Sequence, residues 1–330
     1  MPKYLVPMSS PDLGEAERRA VDEVLATPIL SMGEQAKEFE RAICKASGAA
    51  HAIAVSSGTA GLHLCVRAAG IGPGDLVLTT PYSFIASSNV LLYENAVPVF
   101  VDVDVRTGNI DPARLEQAVR QLADGGMPAQ TWLPRRRAET KKASAILAVD
   151  VFGQPADFDA INAIAKTQGL AVIEDSCEAL GATYKDRPAG RLGKFGVYAF
   201  YPNKQMTTGE GGMVVTDDEQ AADLMRALRN QGRAEGDTWL QHTHLGYNYR
   251  LSEISAALGR AQMDRLDELL AKRRQVAAWY GQRLKDLHGV ELQYIAPSTT
   301  RMSWFVYVVR LAPHLDRDRL GSLLDQAGIP

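Results

Sequence analysis

Apolar residues along the chain recur at two spacings, one helical and one extended, and the two alternate. Residues 14–26 have helical spacing, and residues 33–46 repeat it after the turn at Met32-Gly33, with Phe39 and Ile43 four apart. Residues 51–55 read as a short strand and 59–69 as a helix carrying Leu62, Leu64, Cys65 and Val66. The run Gly72-Pro73-Gly74-Asp75 is a turn. It leads to a strand at 76–79, a helix over 83–94, an apolar strand at 97–103 and a helix over 111–122. The alternation continues with a strand at 144–151, a helix over 157–168 and the apolar run 170–174, which Asp175 closes. Residues 195–200 form another short buried strand; further on, 304–311 read as one strand and 317–327 as one helix. Strands alternating with helices predict an α/β fold, a largely parallel sheet covered on both faces. No internal repeat or low-complexity segment interrupts the pattern.

A chain of 330 residues can bury a large core, and the pattern predicts one large domain over residues 1–245 and a smaller C-terminal α+β domain over 246–330. The formal net charge of -3 argues against nucleic acid or a membrane surface as the main partner. The one basic run, Arg135-Arg136-Arg137 with Lys141 and Lys142 behind it, reads as a solvated loop, because Pro134 precedes it and Glu139 interrupts it. Three scattered cysteines, Cys44, Cys65 and Cys177, have no metal spacing and predict a reducing compartment without a disulfide framework. The N-terminus lacks a basic segment followed by an apolar core, and no apolar run approaches the ~20 residues that span a bilayer. The expectation is a soluble, cytoplasmic protein.

Chemistry enters with Lys204, in the run Phe200-Tyr201-Pro202-Asn203-Lys204-Gln205-Met206-Thr207-Thr208-Gly209-Glu210-Gly211-Gly212. It emerges shortly after one apolar strand, and Asp175, twenty-nine positions earlier (204 − 175 = 29), closes another. A lysine and an aspartate at the ends of neighbouring strands suit a pyridoxal phosphate enzyme: the amine forms a Schiff base and the carboxylate keeps the pyridine nitrogen protonated. Ser56-Ser57-Gly58-Thr59, between a strand and a helix, reads either as a phosphate cradle or as a plain N-cap. Phe84 follows the next strand and is either a ring that stacks on a flat heterocycle or a core residue. Taken singly, Asp175 fits a helix N-cap and Lys204 a solvated surface position. All four fall where ligands collect, at the carboxyl edge of such a sheet, and together they supply partners for a phosphate, a ring face, a ring nitrogen and an aldehyde.

These segments resemble the sugar aminotransferases of the DegT/DnrJ/EryC1/StrS family, which have the aspartate aminotransferase fold (fold type I). The similarity runs from Gly33 through Ser57-Gly58-Thr59-Ala60, residues 81–89 and 98–104, Val151-Phe152-Gly153-Gln154-Pro155 and Glu174-Asp175, then through residues 200–212 and Gly246-Tyr247-Asn248-Tyr249-Arg250. It implies pyridoxal 5'-phosphate as cofactor, with Lys204 as Schiff-base lysine and proton carrier, Asp175 on the ring nitrogen, Phe84 against the ring, and Gly58 and Thr59 on the phosphate. It also implies a homodimer with shared sites, in which Asn248 reaches the neighbouring subunit's cofactor phosphate; from the residues alone, Asn248 is a turn residue beside Gly246. The implied reaction moves an amino group from glutamate to a nucleotide-linked keto sugar, in polysaccharide biosynthesis.

Four departures from the family pattern matter. Ala199 stands where many relatives have a phosphate-binding serine. Glu178 stands where many have glutamine or histidine near the cofactor's phenolic oxygen, so its carboxyl is expected to be protonated or turned away. The small domain reads as shortened at Gly328-Ile329-Pro330, and residues 122–142 as longer than their counterpart. A dehydratase of the same family typically replaces the lysine with histidine. A lyase or desulfurase needs a reactive cysteine, whereas Cys177 reads as core. A non-catalytic regulator that senses the cofactor is the alternative from another class.

Overall fold

The computed structural model describes residues 5, 7, 9–134, 142–234, 236, 238 and 240–330. Helices α1 (Glu15–Leu25) and α2 (Glu34–Ser47) open the chain, burying Ala20 and Val24 in the first and Phe39 and Ile43 in the second. Strand β1 (His51–Val55) leads into α3 (Gly58–Ala68), where the Ser57 hydroxyl accepts the N–H of Ala60 as N-cap. There follow β2 (Leu76–Thr79), α4 (Ala86–Tyr93), β3 (Val97–Phe100), α5 (Pro112–Asp124), α6 (Gly126–Gln130), β4 (Ala143–Val149), α7 (Phe158–Gln168) and β5 (Ala171–Asp175). After the short strands β6 (Thr183–Tyr184) and β7 (Arg187–Pro188) come β8 (Phe195–Ala199), β9 (Gly212–Thr216), α8 (Glu219–Arg229), α9 (Glu253–Asp264) and α10 (Leu266–Leu284). The chain closes with β10 (Val290–Leu292), β11 (Thr299–Arg301), β12 (Val309–Leu311) and α11 (Arg317–Gln326).

Seven strands make the central sheet, in the order β1-β9-β8-β5-β4-β2-β3. The pairs β8·β5, β5·β4, β4·β2 and β2·β3 are parallel, while β9 runs against both β1 and β8. The expected mostly parallel sheet is therefore present. Side chains alternate across it. Ile53, Val77, Leu147, Ile173, Val197 and Val214 join the buried cluster under α3 and α8. On the opposite face, Leu78, Ile146, Ala148 and Val172 meet α5 and α7, whereas Ala54, Tyr198 and Val215 meet α2, α9 and α10. Both faces are covered, which is why these strands read as nearly unbroken apolar runs. Two smaller sheets, β11-β6-β7 and β10-β12, lie outside it.

Several boundaries differ from those read in the sequence. Helix α4 begins at Ala86 rather than 83, because the Thr80 hydroxyl accepts the Tyr82 N–H and holds a local turn there. Strand β3 stops at Phe100, opposite the last residue of its one neighbour, β2. Strand β4 ends at Val149, where residues 151–153 form a single tight turn with Phe152 at φ 63°. The strand expected over 304–311 is only Val309–Leu311: Trp304 has φ 54°, and the carbonyls of Trp304 and Phe305 accept from the Arg273 guanidinium instead of a ladder partner. In the long segment after α5, Trp132 donates to Gln121 Oε1 at 2.6 Å and packs with Leu133 against the core. Arg135, Arg136, Arg137 and Lys141 of the basic run lie outside the described residues. No helix among the described residues is long and apolar enough to cross a membrane.

Candidate active site

Because β9 reverses direction twice over, β1 runs with the parallel strands, and the C-terminal ends of β1, β8, β5, β4 and β2 reach one sheet edge. The residues that follow these strands line a cavity of about 840 Å³, within the range of small-molecule sites. Gly58 and Thr59 lie beyond β1, Phe84 beyond β2, Phe152 beyond β4, Asp175 at the end of β5, and Lys204 beyond β8, all on its wall. Glu178 lines it as well.

The carboxylate of Asp175 is 5% exposed and held by two donors, the Ser87 hydroxyl to Oδ2 at 2.7 Å and the Cys177 N–H to Oδ1 at 3.2 Å. Lys204 Nζ lies 3.6 Å from Glu178 Oε1 and 4.0 Å from the centre of the Phe305 ring, a cation–π distance. The other oxygen of Glu178 accepts the N–H of Phe152 at 2.9 Å, which ties down a residue in the left-handed region that non-glycine residues rarely adopt. Glu178 thus faces Lys204 within the cavity. Burial pushes its carboxyl above the usual range, and the Lys204 charge and the Phe152 N–H offset part of that rise. Burial, followed by the nearby Asp175 charge, pushes the Cys177 thiol well up, so it is no ready nucleophile. Among the described residues, no group of three or more His, Cys, Asp or Glu is gathered to hold a metal ion.

The donor set fits a phosphorylated, flat, cationic heterocycle bearing an aldehyde. Ser57 is already used as N-cap, but no acceptor among the described residues meets the backbone N–H of Gly58 or Thr59, leaving the N-terminus of an 11-residue helix open to an anion. A Cβ on Gly58 would lie 2.8 Å from the Ala199 Cβ and 2.9 Å from Cys177 Sγ. Glycine there lets α3 sit close against β8. Phe84 is 76% exposed, with a ring face free for a planar partner.

Asn248 does not line this cavity; it is exposed on a segment bridged to Asn230. Its neighbours Tyr247 and Tyr249 stack at 4.9 Å and turn inward. Tyr247 donates to Glu94 at 3.2 Å, and Tyr249 meets His63 Nδ1 at 3.0 Å. In extended backbone the residue between them faces the opposite way, outward. Ser87, Phe152 and Phe305 are cavity residues whose contacts with the assigned groups the sequence reading did not anticipate. Ser87 lies one turn after Ser83, whose hydroxyl it meets at 2.8 Å; Phe152 belongs to the Val151-Phe152-Gly153 segment; Phe305 is remote from the rest in sequence, and nothing local signals it.

Residues 11–330 match the model of the DegT/DnrJ/EryC1/StrS aminotransferase family. The chain is 39% identical over 327 residues to GDP-perosamine synthase of Caulobacter vibrioides, covering 98% of this chain and 82% of that protein. It superposes with a TM-score of 0.87 on a DegT DnrJ EryC1 StrS aminotransferase from Brucella abortus, 30% identical, covering 98% of this chain and 83% of that one. A TM-score of 0.87 is also found with the E. coli GDP-4-keto-6-deoxy-D-mannose-3-dehydratase with bound hydrated PLP, 27% identical, covering 99% and 84%. The fold is that of the pyridoxal phosphate-dependent aminotransferases, and the chain belongs to the DegT/DnrJ/EryC1/StrS aminotransferase family.

Proposed function

We propose that the chain is a pyridoxal 5'-phosphate-dependent aminotransferase that moves an amino group from glutamate to a nucleotide-linked keto sugar, acting in the cytoplasm as a homodimer with shared sites. The observation that carries the reading is the meeting of the Lys204 amine, the Asp175 carboxylate and the open helix N-terminus at Gly58-Thr59 around one cavity. When bound, the cofactor supplies an aldehyde that condenses with amines and a ring that draws in electrons from an adjacent carbon. Lys204 Nζ would hold that aldehyde and, when free of it, would carry a proton at the donor's alpha carbon. Asp175, oriented by Ser87 and Cys177, keeps a proton on the ring nitrogen. Gly58 and Thr59 hold the phosphate through backbone N–H groups and the Thr59 hydroxyl, with Asn248 of the second subunit adding to them. Phe84 covers one ring face. Glu178, beside Lys204, takes up a proton when the lysine no longer carries charge, so that no carboxylate repels the phenolic oxygen.

The dehydratase among the structural neighbours keeps a second reading in view, which Lys204 opposes, because the resemblance places histidine there in dehydratases. The neutral Cys177 thiol weakens a desulfurase reading. The test is to incubate the protein, loaded with pyridoxal phosphate, with glutamate and then with a panel of nucleotide-linked keto sugars. GDP-linked ones come first, because GDP-perosamine synthase is a relative. Release of 2-oxoglutarate and an amino sugar in the mass spectrum is expected. Absence of both across the panel would remove the reading, and a spectral change with glutamate without any amino sugar would favour the cofactor-sensing regulator.

A further inference from the structure

Helix α10 buries a stripe formed by Leu266, Leu269, Leu270 and Ala277, and Arg273 falls on the same stripe, one turn from its neighbours on either side. A charge on an apolar stripe calls for a partner. Burial lowers the pKa of Arg273, and no carboxylate among the described residues offsets this. The guanidinium is spent on four main-chain carbonyls. Nη1 donates to Trp304 and Phe305, each at 3.1 Å, and Nη2 to Asn203 at 3.2 Å and to Lys204. One pair belongs to the turn that carries Lys204, the other to the turn where Trp304 has φ 54°, and from this second turn the Phe305 ring reaches Lys204 Nζ.

We propose that Arg273 is a positioning residue: its fork fastens the Lys204 main chain to the Trp304–Phe305 turn and so fixes the direction in which the Lys204 amine enters the cavity. The two Nη atoms of a planar guanidinium carry four N–H donors in a fixed fork, one for each of these carbonyls, whereas the ammonium of a lysine has only three donors on one atom. The inference rests on the reading of Lys204 as the reactive amine, but its first test does not.

In the cofactor-free protein, Lys204 is labelled competitively with trace acetic anhydride across pH and read by peptide mass, in the parent, Arg273→Lys, Arg273→Met and Phe305→Leu. Both Arg273 variants should raise Lys204 labelling about tenfold. Labelling of the other lysines and the melting midpoint of Arg273→Lys should stay as in the parent. In a second arm, pyridoxal phosphate is added and the borohydride-trapped adduct at Lys204 should form at least about tenfold more slowly in both, since a misplacement of about 1 Å can reduce a rate by on the order of 10². Unchanged Lys204 labelling in both Arg273 variants would overturn the proposal, as would full recovery of the parent level of Lys204 labelling by Arg273→Lys. Phe305→Leu keeps the fork, so it should raise labelling without slowing adduct formation; a slowed adduct there would place the control in the ring and also overturn it. A parent that forms no adduct at Lys204 would refute the functional reading, while the labelling arm would still decide the role of Arg273.

Discussion

Lys204 is approached by the Phe305 ring and the Glu178 carboxylate, and Asp175 shares its cavity, so single substitutions separate their roles. Lys204→Ala and Lys204→Arg should each abolish turnover, by at least about 10⁴-fold, because both nucleophile and proton carrier are lost; near-parent circular dichroism alongside near-parent transamination would contradict this. Asp175→Asn should slow the reaction by roughly 10²-fold, as loss of one preorganised charge partner does, with an unchanged steady-state rate counting against its role on the ring nitrogen. Glu178 has a raised pKa in the fold, so its proton is lost only as pH climbs past the ordinary carboxylate range. Glu178→Gln should therefore remove a pH dependence from the absorption of the bound cofactor in that window, and superimposable titrations of variant and parent would exclude a direct contact. Lys204, Asp175, Gly58, Thr59 and Phe84 were legible in sequence because each follows an apolar strand at a position fixed by the fold. Ser87, Phe152 and Phe305 were not, since their roles depend on which turns meet in space.

At the level of elements, the ends of β4 and β5 are locked by a buried acid pair on the sheet face opposite Asp175. Ser176 Oγ lies 2.5 Å from Asp150 Oδ2 and 3.0 Å from Glu174 Oε1. One hydroxyl has one proton to donate, so one of the two carboxyls carries its own. Glu174 also accepts the N–H groups of Gly190, Leu192 and Gly193, which favours charge on it and leaves the proton on Asp150. Burial first, then the Glu174 charge, push Asp150 well up; Glu174 is raised by burial, and the Tyr198 hydroxyl lies within electrostatic reach of both. A carboxyl whose pKa is raised on folding gives stability that is present below its unfolded pKa and lost as pH rises through the folded one. The melting midpoint should therefore fall as pH rises above the ordinary carboxylate range, and Asp150→Asn, with no acid proton to lose, should flatten that slope; equal slopes would refute the shared proton. Most strands and helices up to β8 were readable from spacing, because burial on both faces of the sheet leaves long apolar runs. The 304–311 segment was misread because Arg273 takes its carbonyls, a tertiary contact that no local pattern reports.

For the molecule as a whole, Asn248 faces outward while Tyr247 and Tyr249 anchor its segment to His63 and Glu94, an arrangement suited to contact with a second copy. Sedimentation equilibrium should give twice the 35.9 kDa chain mass. Mixing Lys204→Ala with Asn248→Ala subunits should regain one intact site per mixed dimer; a monomer, or no recovery on mixing, would contradict shared sites. The overall fold and the strand edge that gathers the site could be anticipated from the order of elements. The central claim is that the amine at position 204 is the group that bonds the cofactor. Its most direct test is to incubate the protein with pyridoxal phosphate, reduce with borohydride and map the peptides by mass. The account predicts one added pyridoxyl phosphate group, on the peptide containing Lys204, and its loss in Lys204→Ala. An unmodified chain, or the same label on another lysine with Lys204 untouched, would contradict it.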